Sequence, residues 1–310
     1  MMVAIIDVKG FSKYYGDYLA VENVSFEVEE GSSFAFLGPN GAGKSTTINT
    51  LCTIIDKTSG TLLIDGQDVS KQQKKVRKAI GIVFQEPTLD QQMTVQENLV
   101  AHCILYGVPK DEIGERIGIL LDLVDLVEWR NSLVSTLSGG MKRRVEIVRA
   151  LVHYPKVLFL DEPTTGLDPQ TRNRMWEYIL KLQKEKNITL FLTTHYIEEA
   201  EVCDRVAIMD DGKIIVNDSP QALKAQYTKT RAILKVKDPR KAEICLLQQE
   251  FQYERKGGYL HLDVADMGKF IEMIHSLKQN ILDMEVTKGS LNDVFLEITG
   301  KEIREGGDTD

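Results

Sequence analysis

The sequence is poor in the features that mark membrane-spanning and secreted proteins. Its 310 residues include only four cysteines, Cys52, Cys103, Cys203 and Cys245, which lie far apart and include no C-x-x-C pair, so neither a metal cluster nor a disulfide framework is indicated. The longest stretch without Asp, Glu, Lys or Arg covers 13 residues, at positions 31–43, whereas a transmembrane helix needs about 20. The first residues lack the basic start and apolar centre of a secretory signal. We therefore expect a protein of the reducing cytoplasm, for which another chain must span any membrane at which it works.

An excess of basic residues is also missing. The formal net charge is −8 at pH 7, which disfavours broad electrostatic binding of nucleic acid. The apolar share of 43% is ample for buried cores, and the length suggests one large domain with an attachment, or two domains. The composition therefore favours a globular protein without a nucleic-acid partner.

A glycine-rich segment is the strongest local pattern in the chain. Residues 38–45 read G-P-N-G-A-G-K-S and match the phosphate-binding pattern G-x-x-x-x-G-K-[ST]. The glycines allow a tight turn whose N–H groups point at phosphate oxygens, Lys44 can reach the β- and γ-phosphates, and the Ser45 hydroxyl can ligate Mg²⁺. An apolar strand-like run at 34–37 precedes the segment, and a helix is predicted over 44–55 with its N-terminus toward the anion. The residues predicted to bind ATP here are Gly38, Pro39, Asn40, Gly41, Ala42, Gly43, Lys44, Ser45 and Thr46.

Two adjacent carboxylates follow a second apolar run. Residues 157–160 are apolar and predict a buried strand, and Asp161 and Glu162 come directly after it. Open α/β sheets bind ligands at the carboxyl ends of their strands. We expect Asp161 to hold Mg²⁺ through water, and Glu162 to accept a proton from the attacking water or to orient it. By itself such a pair would be read as a solvated turn, and it is the phosphate-binding loop that favours catalysis.

The segment L-S-G-G-M-K-R-R at residues 137–144 resembles the signature of ABC-type ATPases. In that family the segment opens a helix and caps the γ-phosphate of ATP on the opposite subunit, and the resemblance implies this role for Ser138, Gly139 and Gly140. Serine is a good N-cap residue, and glycines allow close backbone approach. Met141 stands where the family most often has Gln, which we interpret as a subgroup trait. The resemblance thus implies a homodimer, or a paired ATPase subunit, that binds two ATP molecules head to tail.

The resemblance also implies roles for four residues elsewhere in the chain. Tyr15 matches the aromatic residue that stacks on adenine, with Tyr14 as the less favoured choice. Gln85 matches the loop glutamine that contacts Mg²⁺ and senses the membrane partner, and Asp168 matches a residue of the dimer interface. His195 would donate a hydrogen bond to the γ-phosphate. The ordinary alternatives are an aromatic residue on an edge strand for Tyr15, a surface glutamine for Gln85 and a structural histidine for His195.

The chain is predicted to form an α/β ABC-type nucleotide-binding domain with a mixed sheet and a small α+β domain. The predicted segments are the ATPase domain at 1–227, its helical insert at about 88–150, the accessory domain at 228–300 and a disordered tail at 301–310. The insert has a capping-box pattern from Thr94 to Glu97, and in the family it meets the transmembrane partner.

The accessory domain shows a β-α-β-β-α-β pattern, which is the ferredoxin-like order. Its predicted elements are a strand at 231–237, a helix from Asp238, a hairpin over 251–264 and a strand at 281–287. The apolar face of its second helix is predicted at Phe270, Ile271, Ile274 and Leu277. A last amphipathic helix, with Leu291, Val294, Phe295 and Ile298, is expected to dock on the same domain.

This ending, together with Met141, resembles the ATPase subunits of bacterial drug and antibiotic exporters of the daunorubicin-resistance kind. The resemblance implies ATP hydrolysis that powers export through a separate transmembrane permease, with the subunit held at the cytoplasmic face of the cell membrane. An importer of the same superfamily stays open, although the short attachment argues against it. A soluble ABC ATPase of DNA repair or translation would need a long coiled-coil insert or two ATPase units, and a monomeric phosphotransferase would leave residues 137–140 and His195 unexplained.

Overall fold

A computed structural model describes residues 4–300, which form two compact units. The first unit ends at Ser219 and the second begins at Pro220. The sequence prediction put this boundary after residue 227, but the helix at 220–227 packs against the helix at 291–299 and so belongs to the second unit. The tail predicted at 301–310 lies outside the described residues.

The first unit combines two sheets with helices that follow their strands. Its strands are β1 (Ala4–Tyr15), β2 (Tyr18–Glu29), β3 (Ser33–Leu37), β4 (Ser59–Ile64), β5 (Gln67–Asp68), β6 (Ile80–Val83), β7 (Val157–Asp161), β8 (Thr189–Thr194), β9 (Arg205–Asp210) and β10 (Lys213–Asp218). Its helices are α1 (Lys44–Leu51), α2 (Gln73–Ala79), α3 (Val95–Leu105), α4 (Lys110–Leu123), α5 (Gly139–Leu151), α6 (Pro169–Lys186) and α7 (Ile197–Glu201).

The larger sheet has the order β10-β9-β3-β8-β7-β6. The strands from β9 to β6 are parallel, and β10 is an antiparallel edge strand. Every residue of β3, β7 and β8 is buried, which agrees with the apolar residues at the centre of each strand and with the burial of both faces of a parallel sheet. Strands β1, β2, β4 and β5 form a separate antiparallel sheet in the order β2-β1-β4-β5, so the predicted mixed α/β architecture is confirmed.

Phenylalanines from both sheets meet in the core of the first unit. The rings of Phe34 and Phe191 stack with centroids 5.3 Å apart, and Phe36 meets Phe191 edge to face at 5.2 Å. Phe26 of the antiparallel sheet lies 5.3 Å from Phe34, and Phe159 lies 5.2 Å from Phe191. This aromatic cluster fixes β3, β7 and β8 relative to one another, and these are the strands whose ends carry the predicted site.

Two local predictions can be compared directly with the helices. The capping box at the start of α3 is confirmed, because Thr94 Oγ1 accepts from the Glu97 N–H and the Glu97 carboxylate accepts from the Thr94 N–H. The helix after the phosphate-binding loop is shorter than the predicted 44–55. It ends at Leu51, and the chain turns away through Thr53, which has a φ of 62°.

The second unit has the predicted β-α-β-β-α-β order, preceded and followed by a helix. Its elements are α8 (Pro220–Tyr227), β11 (Thr230–Val236), α9 (Pro239–Gln248), β12 (Tyr253–Lys256), β13 (Tyr259–Val264), α10 (Met267–Leu277), β14 (Ile281–Thr287) and α11 (Leu291–Thr299). The sheet is antiparallel with the order β12-β13-β11-β14.

The apolar face of α10 differs by one position from the prediction. Phe270, Met273 and Leu277 are its buried residues, whereas Ile271 is 61% exposed. The buried positions are spaced by three and four residues and so share one side of the helix, while residue 271 is rotated by about 100° from Phe270. Met273, which was not predicted, is part of the buried face of α10, and Ile271 is not.

Within residues 4–300, no helix combines the length and apolarity needed to cross a membrane.

Candidate functional site

The parallel sheet brings four separate loops to one edge. The phosphate-binding loop follows β3, His195 follows β8, Asp161 ends β7, and Gln85 lies just after β6. These strands are neighbours in the order β3-β8-β7-β6, and their parallel pairing places all four carboxyl ends together. Residues separated by more than 100 positions in sequence therefore meet in one site.

The phosphate-binding loop has the backbone that its glycines predict. Gly41 and Gly43 have φ values of 84° and 98°, in the left-handed region that favours glycine. Gly38 is required for a different reason, since a Cβ at that position would lie 2.2 Å from the backbone oxygen of Met209. The loop ends at the N-terminus of α1, where free N–H groups and the helix dipole favour an anion.

Lys44 lies folded into this loop. Its Nζ donates hydrogen bonds to the carbonyl oxygens of Gly38, at 2.7 Å, and Pro39, at 2.9 Å. Burial lowers the pKa of Lys44, while the nearby carboxylates of Glu162 and Asp161 oppose that shift. The ammonium is thus desolvated and held only by neutral carbonyls, so a phosphate oxygen can replace them as a stronger, charged acceptor.

Asp161 ends β7 as a buried carboxylate. Ser45 Oγ donates to Asp161 Oδ1 at 3.3 Å, and the Thr193 hydroxyl donates to the same oxygen. Burial raises the pKa of Asp161 above its ordinary value, whereas these two hydroxyl donors and Lys44 oppose the rise. Thr193 was not identified from the sequence, although a threonine near the end of an apolar buried strand is a usable signal for a polar site there.

Glu162 has an unusual backbone for a residue with a side chain. Its φ is 45°, in the left-handed region, and its N–H donates to the Thr193 carbonyl at 3.1 Å. Its carboxylate faces the site, where Gln85 Nε2 and Thr165 Oγ1 each donate to Oε2 at 3.1 Å. The structure therefore brings Glu162 and Gln85 into direct contact, and Thr165 is a third member that the sequence did not indicate.

His195 contacts the other oxygen of Glu162. Its Nδ1 lies 3.5 Å from Glu162 Oε1, at the long limit for a hydrogen bond, and its ring packs on Tyr196 with centroids 4.1 Å apart. The contact with His195 lowers the pKa of Glu162 although burial opposes this. Glu162 is therefore an ionised carboxylate at neutral pH, which is the form that a general base requires.

A cavity of about 410 Å³ opens beside the phosphate-binding loop. It is lined by the loop from Asn40 to Thr46, by Gln85 and Glu162, and by two tyrosines, Tyr15 and Tyr18. Tyr15 is 48% exposed and Tyr18 64%, and they face each other across the β1–β2 hairpin. Tyr15 thus reaches the predicted nucleotide site, and Tyr14 is not part of the lining. Tyr18 was missed, although its place opposite Tyr15 across the Gly16-Asp17 turn could have indicated it.

The signature segment lines a different cavity. Ser138 is the N-cap of α5 and accepts from the Met141 N–H at 3.3 Å, as predicted. Ser138, Gly139 and Gly140 line a cavity of about 440 Å³ together with residues 166–168. None of the phosphate-binding loop lines that cavity, so one chain does not bring the two predicted ATP-binding segments together.

The residues predicted to hold Mg²⁺ have chemistry that fits this ion. Mg²⁺ binds hard oxygen ligands and usually keeps several waters beside one or two carboxylates and substrate phosphates. Ser45 Oγ and Asp161 Oδ1 are 3.3 Å apart, and Gln85 enters the same site from the β6 side with an amide oxygen to offer. The donor set is therefore a hydroxyl, a carboxylate and an amide, all of them oxygen ligands.

Comparisons with known proteins agree with this geometry. The profile of the family described as "ABC transporter" matches residues 21–165. The chain is 34% identical to Nod factor export ATP-binding protein I of Cupriavidus metallidurans, over 98% of this chain and 100% of that protein. It is 33% identical to linearmycin resistance ATP-binding protein LnrL of Bacillus subtilis, over 97% of this chain and 100% of that protein.

Solved structures match the first unit in size. The chain resembles cbiO1 from Clostridium perfringens, described as part of the ABC transporter complex cbiONQ, with a TM-score of 0.67 and 33% identity over 72% of this chain and 91% of that one. It also resembles the ATP-binding cassette MJ0796, whose dimeric structure represents a post-hydrolysis state bound to ADP and Pi. The TM-score is 0.62, with 29% identity over 69% of this chain and 98% of that one.

Proposed function

We propose that this chain is the subunit that powers a bacterial exporter. The chain belongs to the ABC transporter family, and it is an ATP-binding and ATP-hydrolysing protein. The observation that carries the enzymatic part is the meeting of the phosphate-binding loop, Gln85, Asp161, Glu162 and His195 at one edge of the parallel sheet. Export is supported by similarity over the full length of two proteins named for Nod factor export and linearmycin resistance. These relatives favour export over import, as the sequence resemblance predicted.

We assign the phosphate contacts to the loop and to Lys44. The N–H groups of residues 40–46 surround the phosphates, and Lys44 exchanges its two carbonyl partners for β- and γ-phosphate oxygens. Tyr15 stacks on the adenine, with Tyr18 beside it on the same side of the cavity. Binding is thus divided between electrostatic contacts at the helix N-terminus and an aromatic contact at the exposed hairpin.

Ser45, Asp161 and Gln85 would hold Mg²⁺. When bound, the ion neutralises charge on the β- and γ-phosphate oxygens. The chain's own contribution is a pair of hydroxyl donors, Ser45 and Thr193, which favour the ionised form of Asp161 and oppose the rise in its pKa on burial.

Glu162 acts as the general base. Its lowered pKa keeps the carboxylate ionised, and Gln85 and Thr165 fix one oxygen through hydrogen bonds. A water in line with the γ-phosphate then loses a proton to Glu162 and its oxygen bonds to the γ-phosphorus. The bond from that phosphorus to the oxygen bridging it to the β-phosphate breaks, which leaves ADP and inorganic phosphate. His195 holds the other side of the carboxylate and donates a hydrogen bond to the γ-phosphate.

Two chains form the complete unit, either as a homodimer or with a paired ATPase subunit. The separation of the signature cavity from the phosphate-binding cavity supports a head-to-tail pair, in which Ser138, Gly139 and Gly140 of one chain cap the ATP of the other. A separate transmembrane permease contacts the helical insert that follows Gln85, and it holds the subunit at the cytoplasmic face of the membrane. The dimeric MJ0796 structure offers a related precedent for the pairing.

The experiment is a pull-down of tagged Glu162→Gln protein from detergent-solubilised membranes of the host, with ATP present. A Lys44→Ala variant of the same protein is the matched control, because it lacks the phosphate contact. A stoichiometric partner with several transmembrane helices, captured by Glu162→Gln, supports the transporter assignment. Its capture by Lys44→Ala as well would agree with a permease contact at the helical insert, away from the ATP site. Only soluble partners, or none, would overturn it, and uptake of cargo into right-side-out vesicles would overturn export.

A further inference from the structure

One face of α5 is attached to both loops that carry the site. Arg143, Glu146 and Arg149 follow one another at intervals of three residues on this helix. Arg143 and Glu146 are 7% and 2% exposed, and their ion pair measures 2.9 Å. One turn further, Arg149 Nη1 donates to the Thr88 carbonyl at 2.7 Å. Arg143 and Glu146 thus form a buried ion pair, and Arg149, which is partly exposed, extends the same row of charges.

The guanidinium of Arg143 holds the backbone around the catalytic carboxylate. Its Nε donates to the Pro163 carbonyl at 2.6 Å, and its Nη2 donates to the carbonyls of Asp161 and Glu162 at 3.3 Å each. Glu162 has the left-handed φ of 45°, which a residue with a Cβ adopts only when its surroundings hold it there. The planar fork of Arg143 therefore binds consecutive carbonyls of the turn that aims Glu162.

The same pair of charges holds the loop of Gln85 on both sides. Before Gln85, Arg143 Nη1 donates to the Phe84 carbonyl at 2.5 Å. After it, Glu146 Oε1 accepts from the Thr88 N–H at 2.8 Å. The side-chain hydrogen bond between Gln85 and the catalytic carboxylate thus connects two loops whose backbones are fastened to one ion pair.

We propose that Arg143, neutralised by Glu146, is a positioning residue for ATP hydrolysis. Among the residues that line the nucleotide cavity, the Arg143 side chain hydrogen-bonds only to the backbone carbonyl of Glu162, and it acts by setting the distance between the Gln85 and Glu162 loops. The inference rests on the proposed role of Glu162 as general base. Lysine can retain the charge opposite Glu146, but it cannot donate in several fixed directions as a guanidinium does.

The test is steady-state ATP hydrolysis by Arg143→Lys. We expect kcat to fall by about 10- to 100-fold because the base is displaced, with KM and the affinity for a fluorescent ATP analogue within about twofold of the parent. The matched control is Arg116→Lys on α4. Like Arg143, Arg116 pairs with a carboxylate on its own helix, that of Glu112, and its guanidinium donates to a backbone carbonyl, that of Val152. It hydrogen-bonds to neither the Gln85 loop nor the Glu162 loop. We expect its kcat to stay unchanged.

A double-mutant cycle separates this proposal from the assignment of Glu162. If Arg143 acts through Glu162, Arg143→Lys lowers the residual hydrolysis of Glu162→Gln by much less than it lowers that of the parent. Fast turnover by Glu162→Gln alone would overturn the base assignment. Three results would each overturn the positioning role. The first is a kcat of Arg143→Lys within twofold of the parent, and the second is additive effects of the two substitutions in the cycle. The third is a nucleotide affinity and a melting temperature that fall in step with kcat.

Discussion

Replacement of Glu162 by glutamine isolates the charge of this residue from its shape. Gln85 Nε2 and Thr165 Oγ1 both donate to one oxygen of Glu162, at 3.1 Å each. A glutamine whose carbonyl oxygen occupies that place keeps both hydrogen bonds and turns its amide toward His195, so the fold is expected to be intact. What disappears is the negative charge that can accept the proton of water.

The magnitude follows from the general-base contribution. Removal of such a base costs about 10²- to 10⁴-fold in kcat, which is about 3–5 kcal/mol of transition-state stabilisation. ATP affinity is expected to be equal or higher, because a carboxylate that repels the phosphates is lost while Lys44 is retained. With hydrolysis stalled, we expect the ATP-bound dimer to accumulate.

The assay is phosphate release at saturating ATP and Mg²⁺, together with light scattering with and without ATP. Glu185→Gln is the control, since Glu185 is an exposed residue of α6 and its loss is expected to change neither readout. Turnover of Glu162→Gln within tenfold of the parent, or slow turnover without an ATP-dependent dimer, would refute the reasoning.

Three further perturbations follow from the same contacts. Gly38→Ala places a Cβ 2.2 Å from the Met209 carbonyl oxygen and is expected to abolish binding of a fluorescent ATP analogue, so unimpaired binding would contradict the loop geometry. The control is Gly114→Ala in α4, where the added Cβ meets open space, and it is expected to stabilise the fold by about 0.5–1 kcal/mol. Phe191→Ala is expected to lower the free energy of unfolding by about 3–5 kcal/mol in urea titrations, because the Phe191 ring contacts the phenylalanines of β3 and β7. A loss below about 1 kcal/mol would show that this aromatic cluster is not the core. The contact with His195 holds the folded-state pKa of Glu162 below its ordinary value of 4.5, so the stability that its ionisation contributes is present above that value and is lost as the pH falls through the folded pKa. The difference in unfolding free energy between the parent and Glu162→Gln should therefore not decline between about pH 7 and 5, and a decline within that range would contradict the lowered pKa.

The residues of the site that could be predicted from the sequence are those whose chemistry is tied to local spacing. The phosphate-binding loop specifies its own turn through glycines and its own anion site through the helix that follows. Asp161, Glu162 and His195 could be located because each follows a buried apolar run, and parallel strands end at one edge. The sequence did not give the order of the strands in the sheet, and it is this order that places these residues next to one another.

The residues that were missed act through tertiary contacts. Arg143 lies on a helix next to the signature segment, and nothing in its spacing indicates that its guanidinium binds carbonyls at Phe84 and Pro163. The position of Thr193 near the end of a buried strand signals a polar site, but its partner Asp161 lies 32 positions away and is brought beside it only by the fold. The boundary between the units was misplaced for a related reason, since α8 is assigned by its packing on α11 and not by any composition change at 227.

In the proposed dimer, each ATP lies between the phosphate-binding loop of one chain and the signature segment of another. The most direct test of this arrangement uses two differently tagged chains, one with Asn40→Cys and the other with Ser138→Cys, in a Glu162→Gln, Cys245→Ser background. Both positions are exposed, and the remaining native cysteines, Cys52, Cys103 and Cys203, are buried. We expect an ATP-dependent disulfide between the two tagged chains. The absence of a cross-link between them while ATP remains bound would contradict the head-to-tail dimer.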